Sequence, residues 1–420
     1  MTTDLRSRIR AANESTVEIM LSAWDNVVWV GNETAIDVIP GMTPTTVMHA
    51  GPPITWVDMC SSMREGVIGG LLFEGLADTA EEAESLIAGG GITLAPCHEH
   101  RTVGGMTGIT TASMPVHVVR DDQNGVEAYC RLHERKRALQ WGERDQQVLE
   151  QLRWMTDVLS PMLSAAVRAK GGLAVKSITA RALQMGDECH NRNVAATSLL
   201  VREMMPDLIA LDWGKDDLEK VARFLQEDDG FYLHIDMAAG KAIAEAAKGI
   251  EYSTIVTTIA RNGVEVGIRI SGLGDSWFTG PADLLRGSYF PGFNDDNVDA
   301  DMGDSAIMET MGLGGQIQAA APVFQQIVGG TVQDAINHTR EMMDISFGRN
   351  PAFVLPMLDF QAGPIGIDML KVLETGVTPI IDSAMAAKKG GFAGAGQVRV
   401  PMECFQKAFR AFAERYGLGQ

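Results

Sequence analysis

Apolar residues recur at helical spacing over 4–24, 57–77, 143–170, 174–204, 216–248, 305–321, 331–344 and 402–416. Each of these segments is an expected helix, and the fourth should stop before Pro206. Asp78-Thr-Ala-Glu-Glu82 is a helix start with a capping oxygen and acids in its first turn. Strand-like runs lie between the helices. Asn26–Gly31 is one. Gly91–Ala95 and Ile109–Val116 flank a polar turn, and Asp121–Gly125 is a hairpin turn after them. Further on, Ser253–Ala260 and Val264–Ile270 flank Arg261-Asn-Gly263, a strong hairpin signal. Helices and strands do not alternate cleanly. The expected class is therefore α+β, a mixed α/β multidomain architecture with a helical middle region. Its expected parts are an N-terminal α/β domain (1–142), a mainly helical region (143–250) and a C-terminal α/β domain (251–420).

Composition narrows the function classes. The chain has 420 residues, 45% hydrophobic and 21% charged, enough to bury a sizeable core. A net charge of −19 speaks against nucleic acid or an anionic membrane as partner. It leaves a small anionic substrate open, since a local basic pocket can sit on an acidic protein. Five cysteines (60, 97, 130, 189, 404) form no CxxC pair, which fits a reducing compartment. The polar N-terminus lacks the apolar stretch of a secretory leader, and no apolar run reaches the roughly 18–20 residues of a membrane helix. A cytoplasmic protein is expected.

Chemistry concentrates in a few segments. Pro96-Cys-His-Glu-His-Arg101 packs a thiol, two imidazoles, a carboxylate and a guanidinium into five residues before Gly104-Gly105. On a strand-to-loop turn, alternation puts His98 and His100 on one face and Cys97 and Glu99 on the other. HxH is a metal-ligand spacing and Cys97 a candidate nucleophile, but neither has its third partner in sequence, and a merely polar turn is the plain alternative. Met185-Gly-Asp-Glu-Cys-His-Asn-Arg-Asn193 is flanked by helical sequence. At helical spacing Asp187, His190 and Asn191 share one face, and Glu188 and Arg192 another. Buried Asn191, Asn193 and Arg192 suit a planar ligand such as a carboxylate, amide or ureido group, with an internal network as the alternative.

Arg261, Asn262 and Arg269 precede the turn Ser271-Gly272-Leu-Gly274, whose N–H groups could hold an anion. No helix follows it, which argues against a dinucleotide fingerprint. Asp304 or Ser305 would cap a helix carrying Glu309, which is a cheaper reading of the local acids than a cation site. Gly312-Leu-Gly-Gly315 is expected to approach a ligand or another chain closely, because helix interiors avoid glycine. The Gly/Ala-rich stretch 378–396 is an expected flexible loop over a site or subunit contact.

Taken together, HAGPPI (49–54), EGLA (74–77), PCHEHRTVGGMTG (96–108), SMPV (113–116), MGDECHNRN (185–193), ARNGVEVGIRISGLGDSWF (260–278), GDSAIMETMGLGG (303–315) and GIDMLKV (366–372) carry a resemblance. The chain resembles the AllG/YlbE-like family, a subunit type of bacterial oxamate carbamoyltransferase found with FdrA-type partner subunits. The resemblance implies phosphorolysis of a ureido acid such as oxalurate to carbamoyl phosphate and oxamate, or the reverse. His98, His100, Glu99, Asp187 and His190 are then the candidate catalytic groups. Cys97, Arg101, Glu188, Asn191, Arg192, Asn193, Arg261, Asn262, Arg269, Gly272, Gly274, Ser305 and Glu309 are candidate contacts for ureide and phosphate. No cofactor is expected, and a metal is not favoured. Two other functions stay open: a diverged C–N hydrolase acting on a ureide, amide or cyclic imide, and a non-catalytic scaffold subunit. A homo-oligomer is expected.

Overall fold

The helix Phe231–Ala246 is almost entirely buried, including its His234, Asp236 and Lys241. A helix apolar all round has to be surrounded, and this one is. It packs on the strands Pro115–Asp121 and Val126–Arg131, on the N-terminal helix Thr3–Asn26 and on the short helix Ile307–Thr310. Gly240 allows that last approach, since a Cβ there would meet Met311 and Ile307 at 3.2 and 3.3 Å. The computed structural model describes residues 3–135 and 137–417.

Mixed α+β is the observed architecture, with several small sheets set among helices. One five-stranded sheet runs in the order Thr102–Val103, Val126–Arg131, Pro115–Asp121, Val27–Thr34, Leu173–Ala174. A four-stranded sheet has the order Phe278–Pro281, Glu265–Ile270, Val256–Asn262, Met302–Gly303. Arg286–Tyr289, Phe392–Arg399 and Ile380–Ala386 form a third. The largest apolar cluster takes residues from all three expected regions, among them Trp24, Leu159, Phe231, Met308 and Phe353.

Local signals were mostly followed. Thr79 caps Ala80–Ala88 by accepting from Glu82 N, Thr331 and Asp334 form a capping box on Val332–Ile345, and both hairpins form.

The departures have physical causes. The expected helix over 174–204 is two helices, Val175–Gln184 and Val194–Ala210, and the second passes through Pro206. Between them Gly186 and Cys189 take positive φ (100° and 60°), and the Glu188 carboxylate accepts the N–H groups of Asn191 and Arg192, which replaces helical bonding. Residues 305–321 form only the short helix Ile307–Thr310 followed by 3-10 turns, because Gly312 and Gly314 have φ of 86° and 55°. Ile109–Val116 becomes strand only from Pro115. The Gly/Ala-rich stretch is no loose loop: Ile380–Ala386 and Phe392–Arg399 pair as an antiparallel hairpin. No helix among the described residues is long and apolar enough to cross a membrane.

Candidate active site

A cleft of about 520 Å³ opens between four segments: the stretch from His133 to Gln151, the 190–193 loop, residues 227–233 at the N-terminal end of Phe231–Ala246, and the 380–399 hairpin through Ala384 and Phe392. Its floor continues into a small recess of about 50 Å³ that reaches Gly105, Gln140, His234 and Ser305. His133, Trp141, His190, Asn191, Leu233 and Ala384 border both spaces, so the two are one site with a wide mouth and a narrow end.

Three histidines meet here, each pinned through Nδ1. His190 Nδ1 lies 2.8 Å from Glu309 Oε1, His133 Nδ1 2.8 Å from Asp228 Oδ2, and His234 Nδ1 2.6 Å from the Arg131 carbonyl. Holding Nδ1 orients each ring and sets the tautomer at the other nitrogen, Nε2. Burial beside His133 holds His234 well below the usual imidazole range. It is therefore neutral, and with Nδ1–H given to a carbonyl its Nε2 is an acceptor.

Glu309 is fully buried and built into place. Its Oε1 also accepts from Gly315 N (2.9 Å) and Asp382 N (3.2 Å). Two more buried carboxyls stand nearby. Burial and the Asp382 charge push Glu188 up to about 8, and burial with the Glu309 charge pushes Asp382 well above its usual range. Burial and mutual repulsion thus favour the protonated form within this coupled pair. Gly314 and Gly315 serve this packing. A Cβ on Gly314 would sit 2.1 Å from Glu309 Oε1, and one on Gly315 2.3 Å from the Ile380 carbonyl. The expected close approach is real, but it is to the chain's own Glu309 and Ile380.

The mouth of the cleft carries Arg135 and Arg137. Arg135 pairs with Glu227 and Arg137 with Asp145, both at partly exposed positions where such pairs are easily exchanged for another anion.

The sequence candidates divide sharply. His190, Asn191, Asn193 and Ser305 line the site, and Glu309 and Glu188 stand behind it. Asn193 Nδ2 holds the His190 carbonyl at 2.6 Å. Asp187 fixes the loop instead of facing the cleft, accepting from Arg192 Nη1 (2.6 Å) and Ala196 N (2.8 Å).

The 97–101 group is not brought to the cleft. It forms a 3-10 turn, not an extended strand end, so Cys97 and His98 face inward while Glu99 and His100 face out. Cys97 Sγ donates to the Gly108 carbonyl (3.4 Å), and burial pushes its thiol up, which makes it a poor nucleophile. His98 Nε2 lies 3.6 Å from Asp304 Oδ1 in a solvent-free position, where burial and Lys241 push its pKa far down. His100 Nδ1 contacts the Pro40 carbonyl (2.6 Å), and Arg101 is exposed at φ 54°.

The 261–274 candidates are tied up internally, except that Arg269 Nε and Nη2 are buried without a hydrogen-bond partner among the described residues. Arg261 clamps Asp301 through two bonds (2.8 and 3.0 Å) and reaches Ser383 Oγ (2.8 Å), fixing the loop that carries Ser305. Asn262 shapes its hairpin by accepting from Val264 N and Glu265 N. Arg269 stacks on Trp277 at 4.1 Å, and Glu99 accepts from the Trp277 indole (3.1 Å). The N–H groups of Gly272 and Gly274 donate to the Ser253 and Ser271 carbonyls and are used up by the turn. Among the described residues no group of three or more His, Cys, Asp or Glu is arranged to hold a metal ion.

His133, Arg135, Arg137, Gln140 and His234 went unnoticed in the sequence. The run His133-Glu-Arg-Lys-Arg137 is as dense in titratable groups as 97–101, and that criterion alone would have found it. His234, Asp236 and Lys241 on an otherwise apolar helix were a second signal.

The sequence profile of the oxamate carbamoyltransferase subunit AllG matches residues 92–305. The oxamate carbamoyltransferase subunit AllG of Escherichia coli (strain K12) is 39% identical over 417 residues, covering 98% of this chain and 99% of that protein. The chain belongs to the AllG family. Another relative in the same organism, the uncharacterized protein YahG, is 45% identical over 417 residues and covers 99% of this chain and 88% of its own. This AllG-family fold also matches the crystal structure of a conserved protein of unknown function from Enterococcus faecalis V583. The TM-score is 0.95 at 43% identity, covering 98% of this chain and 99% of that one.

Proposed function

We propose that this chain is a carbamoyltransferase subunit whose cleft moves a carbamoyl group between the nitrogen of a ureido acid such as oxalurate and phosphate. The observation that carries the reading is the His190–Glu309 pair at the junction of cleft and recess (2.8 Å). In the phosphorolytic direction a phosphate oxygen attacks the ureido carbonyl and the C–N bond to the acid's nitrogen breaks. His190 Nε2 takes the phosphate proton and returns it to that nitrogen, while Glu309 stabilises the imidazolium between the two transfers. The products are carbamoyl phosphate and oxamate. Arg135 and Arg137 hold the carboxylate or phosphate at the mouth, and Asn191 and Ser305 face the carbonyl. The reaction is expected to need partner subunits of the FdrA type, with this chain in a homo-oligomer inside the complex.

The test is carbamoyl phosphate formation from oxalurate and phosphate, with and without the partners. His190→Gln should lower kcat about 10²- to 10⁴-fold while the complex still assembles. Phosphate-independent release of ammonia from a ureide by the chain alone would replace this reading with hydrolysis. Full activity in His190→Gln would leave the chain a scaffold.

A further inference from the structure

The recess at the end of the cleft holds polar atoms that no group among the described residues satisfies. Gln140 Oε1 is a buried acceptor with no donor, and Asn191 Nδ2 a buried donor with no acceptor. His234 Nε2 is an acceptor because its Nδ1–H is committed to the Arg131 carbonyl (2.6 Å). Gly105 lies against two of these atoms. A Cβ on it would lie 2.7 Å from His234 Nε2 and 3.6 Å from Gln140 Oε1, so both acceptors lie on the Gly105 side of the recess that all three residues line. Leaving such groups unpaired costs on the order of 1–3 kcal/mol each, so a ligand that completes them is favoured over one that does not.

We propose that the recess is the subsite for a terminal, unsubstituted carbamoyl group, with Gln140 Oε1 and His234 Nε2 accepting the two amino hydrogens and Asn191 Nδ2 donating to the carbonyl oxygen. A carboxylate or phosphate does not fit that set, since it would meet two acceptors. An N-alkylated ureide loses one hydrogen bond and adds a carbon to a recess of only about 50 Å³. The substrate is therefore oriented with its carbamoyl end inward and its anionic end toward Arg135 and Arg137, and the enzyme selects unsubstituted terminal carbamoyl groups. Gln140 and Gly105 set that selectivity. This inference rests on the carbamoyl-transfer reading and adds which residues read the amino group.

The experiment measures kcat and KM of the complex with its partners for oxalurate and for oxalurate methylated on its terminal nitrogen. Wild type, Gln140→Leu, Gln140→Glu and Gly105→Ala are compared, with thermal unfolding of each chain as a check on folding. Wild type should prefer the unsubstituted compound by about 100-fold or more, as sites built to hydrogen-bond a polar group do. Gln140→Leu should raise KM for oxalurate about tenfold, the value of one hydrogen bond, and narrow the preference to within tenfold. Gln140→Glu keeps an acceptor and should retain more of the preference than Gln140→Leu. Gly105→Ala should weaken both substrates. A Gln140→Leu chain that folds and keeps the wild-type preference overturns the subsite while leaving carbamoyl transfer intact. Inactivity of the wild-type complex on every terminal-carbamoyl compound overturns both.

Discussion

Glu309 Oε1 sits 2.8 Å from His190 Nδ1, although one residue is on the short helix Ile307–Thr310 and the other on a loop 119 positions away in sequence. The carboxylate is placed by two backbone N–H groups, from Gly315 and Asp382, so the loop after Ile307–Thr310 and the strand Ile380–Ala386 both position the histidine. Glu309→Gln keeps the size but removes the charge that supports an imidazolium. It is expected to lower kcat by about 10²-fold or more with little change in KM, and to shift the acidic limb of the pH–rate profile of the assembled complex. An unchanged profile would mean that His190 does not cycle its proton.

Gly314 makes this geometry sensitive to one methyl group. At φ 55° a Cβ would lie 2.1 Å from Glu309 Oε1 and 2.9 Å from His190 Cβ. Gly75 has a similar φ of 67° but nothing within 4 Å of its Cβ position. Gly75→Ala should therefore cost only the strain of the left-handed backbone, about 1 kcal/mol. Gly314→Ala should cost several times more and abolish activity. Urea unfolding of the two variants, read side by side, isolates the contact from the backbone term.

The sequence made the 185–193 segment visible as chemistry but misread its shape. Its neighbours have strong helical spacing, and only the positive φ of Gly186 and Cys189 and the capture of two N–H groups by Glu188 break the helix. Those are tertiary choices, which periodicity does not encode. The 97–101 group was the opposite case. It is rich in reactive types, yet a 3-10 turn points His98 inward to Asp304 and His100 outward to Pro40. Residue type found reactive groups. Only backbone direction decided which of them share a cavity.

His98 and His190 are accordingly expected to behave differently. His98→Asn disturbs a buried contact with Asp304, whose carboxyl also accepts from Gly51 N (2.8 Å) and Gly104 N (3.0 Å). It should lower the unfolding free energy by about 1–3 kcal/mol and leave kcat of the folded chain within tenfold. His190→Asn should do the reverse. Parallel measurement of Tm and kcat separates the two; a His98→Asn chain with normal Tm and no turnover would return the 97–101 turn to the chemistry.

At the mouth, Arg135→Ala and Arg137→Ala should raise KM for an anionic substrate about 5- to 50-fold with kcat nearly kept, since exposed guanidinium groups bind ground and transition states alike. The effect should shrink as salt rises from low to physiological ionic strength. Equal losses in kcat would move these arginines from binding into the transition state.

Stability should fall as pH rises above neutrality. Burial pushes Asp236 up to about 8 from an ordinary 3.8, Asp304 up to about 7, and Glu188 up to about 8. Between the ordinary and raised values the folded chain holds protons that the unfolded chain has released, so unfolding free energy drops with pH and the loss is complete above about 8. The buried histidines act in the other direction but elsewhere. His49 and His117 are pulled down to about 4 and about 3 from an ordinary 6.5, so their effect has finished above that value. The window from 6.5 to about 8 therefore belongs to the carboxyls. Nearer 9 the buried thiols, raised from an ordinary 9.0, add to the decline in wild type and variant alike. Asp236 is the cleanest probe, because it lies away from the cleft and both its oxygens accept from Thr179 Oγ1 at 3.1 Å. Asp236→Asn keeps a carbonyl acceptor for that hydroxyl and never ionises. Urea unfolding at pH 6.5, 7.5 and 9 should give a shallower decline for the variant than for wild type. The two curves should diverge by on the order of 1 kcal/mol or more at pH 9. Parallel curves would mean that Asp236 is already ionised in the folded chain at pH 6.5.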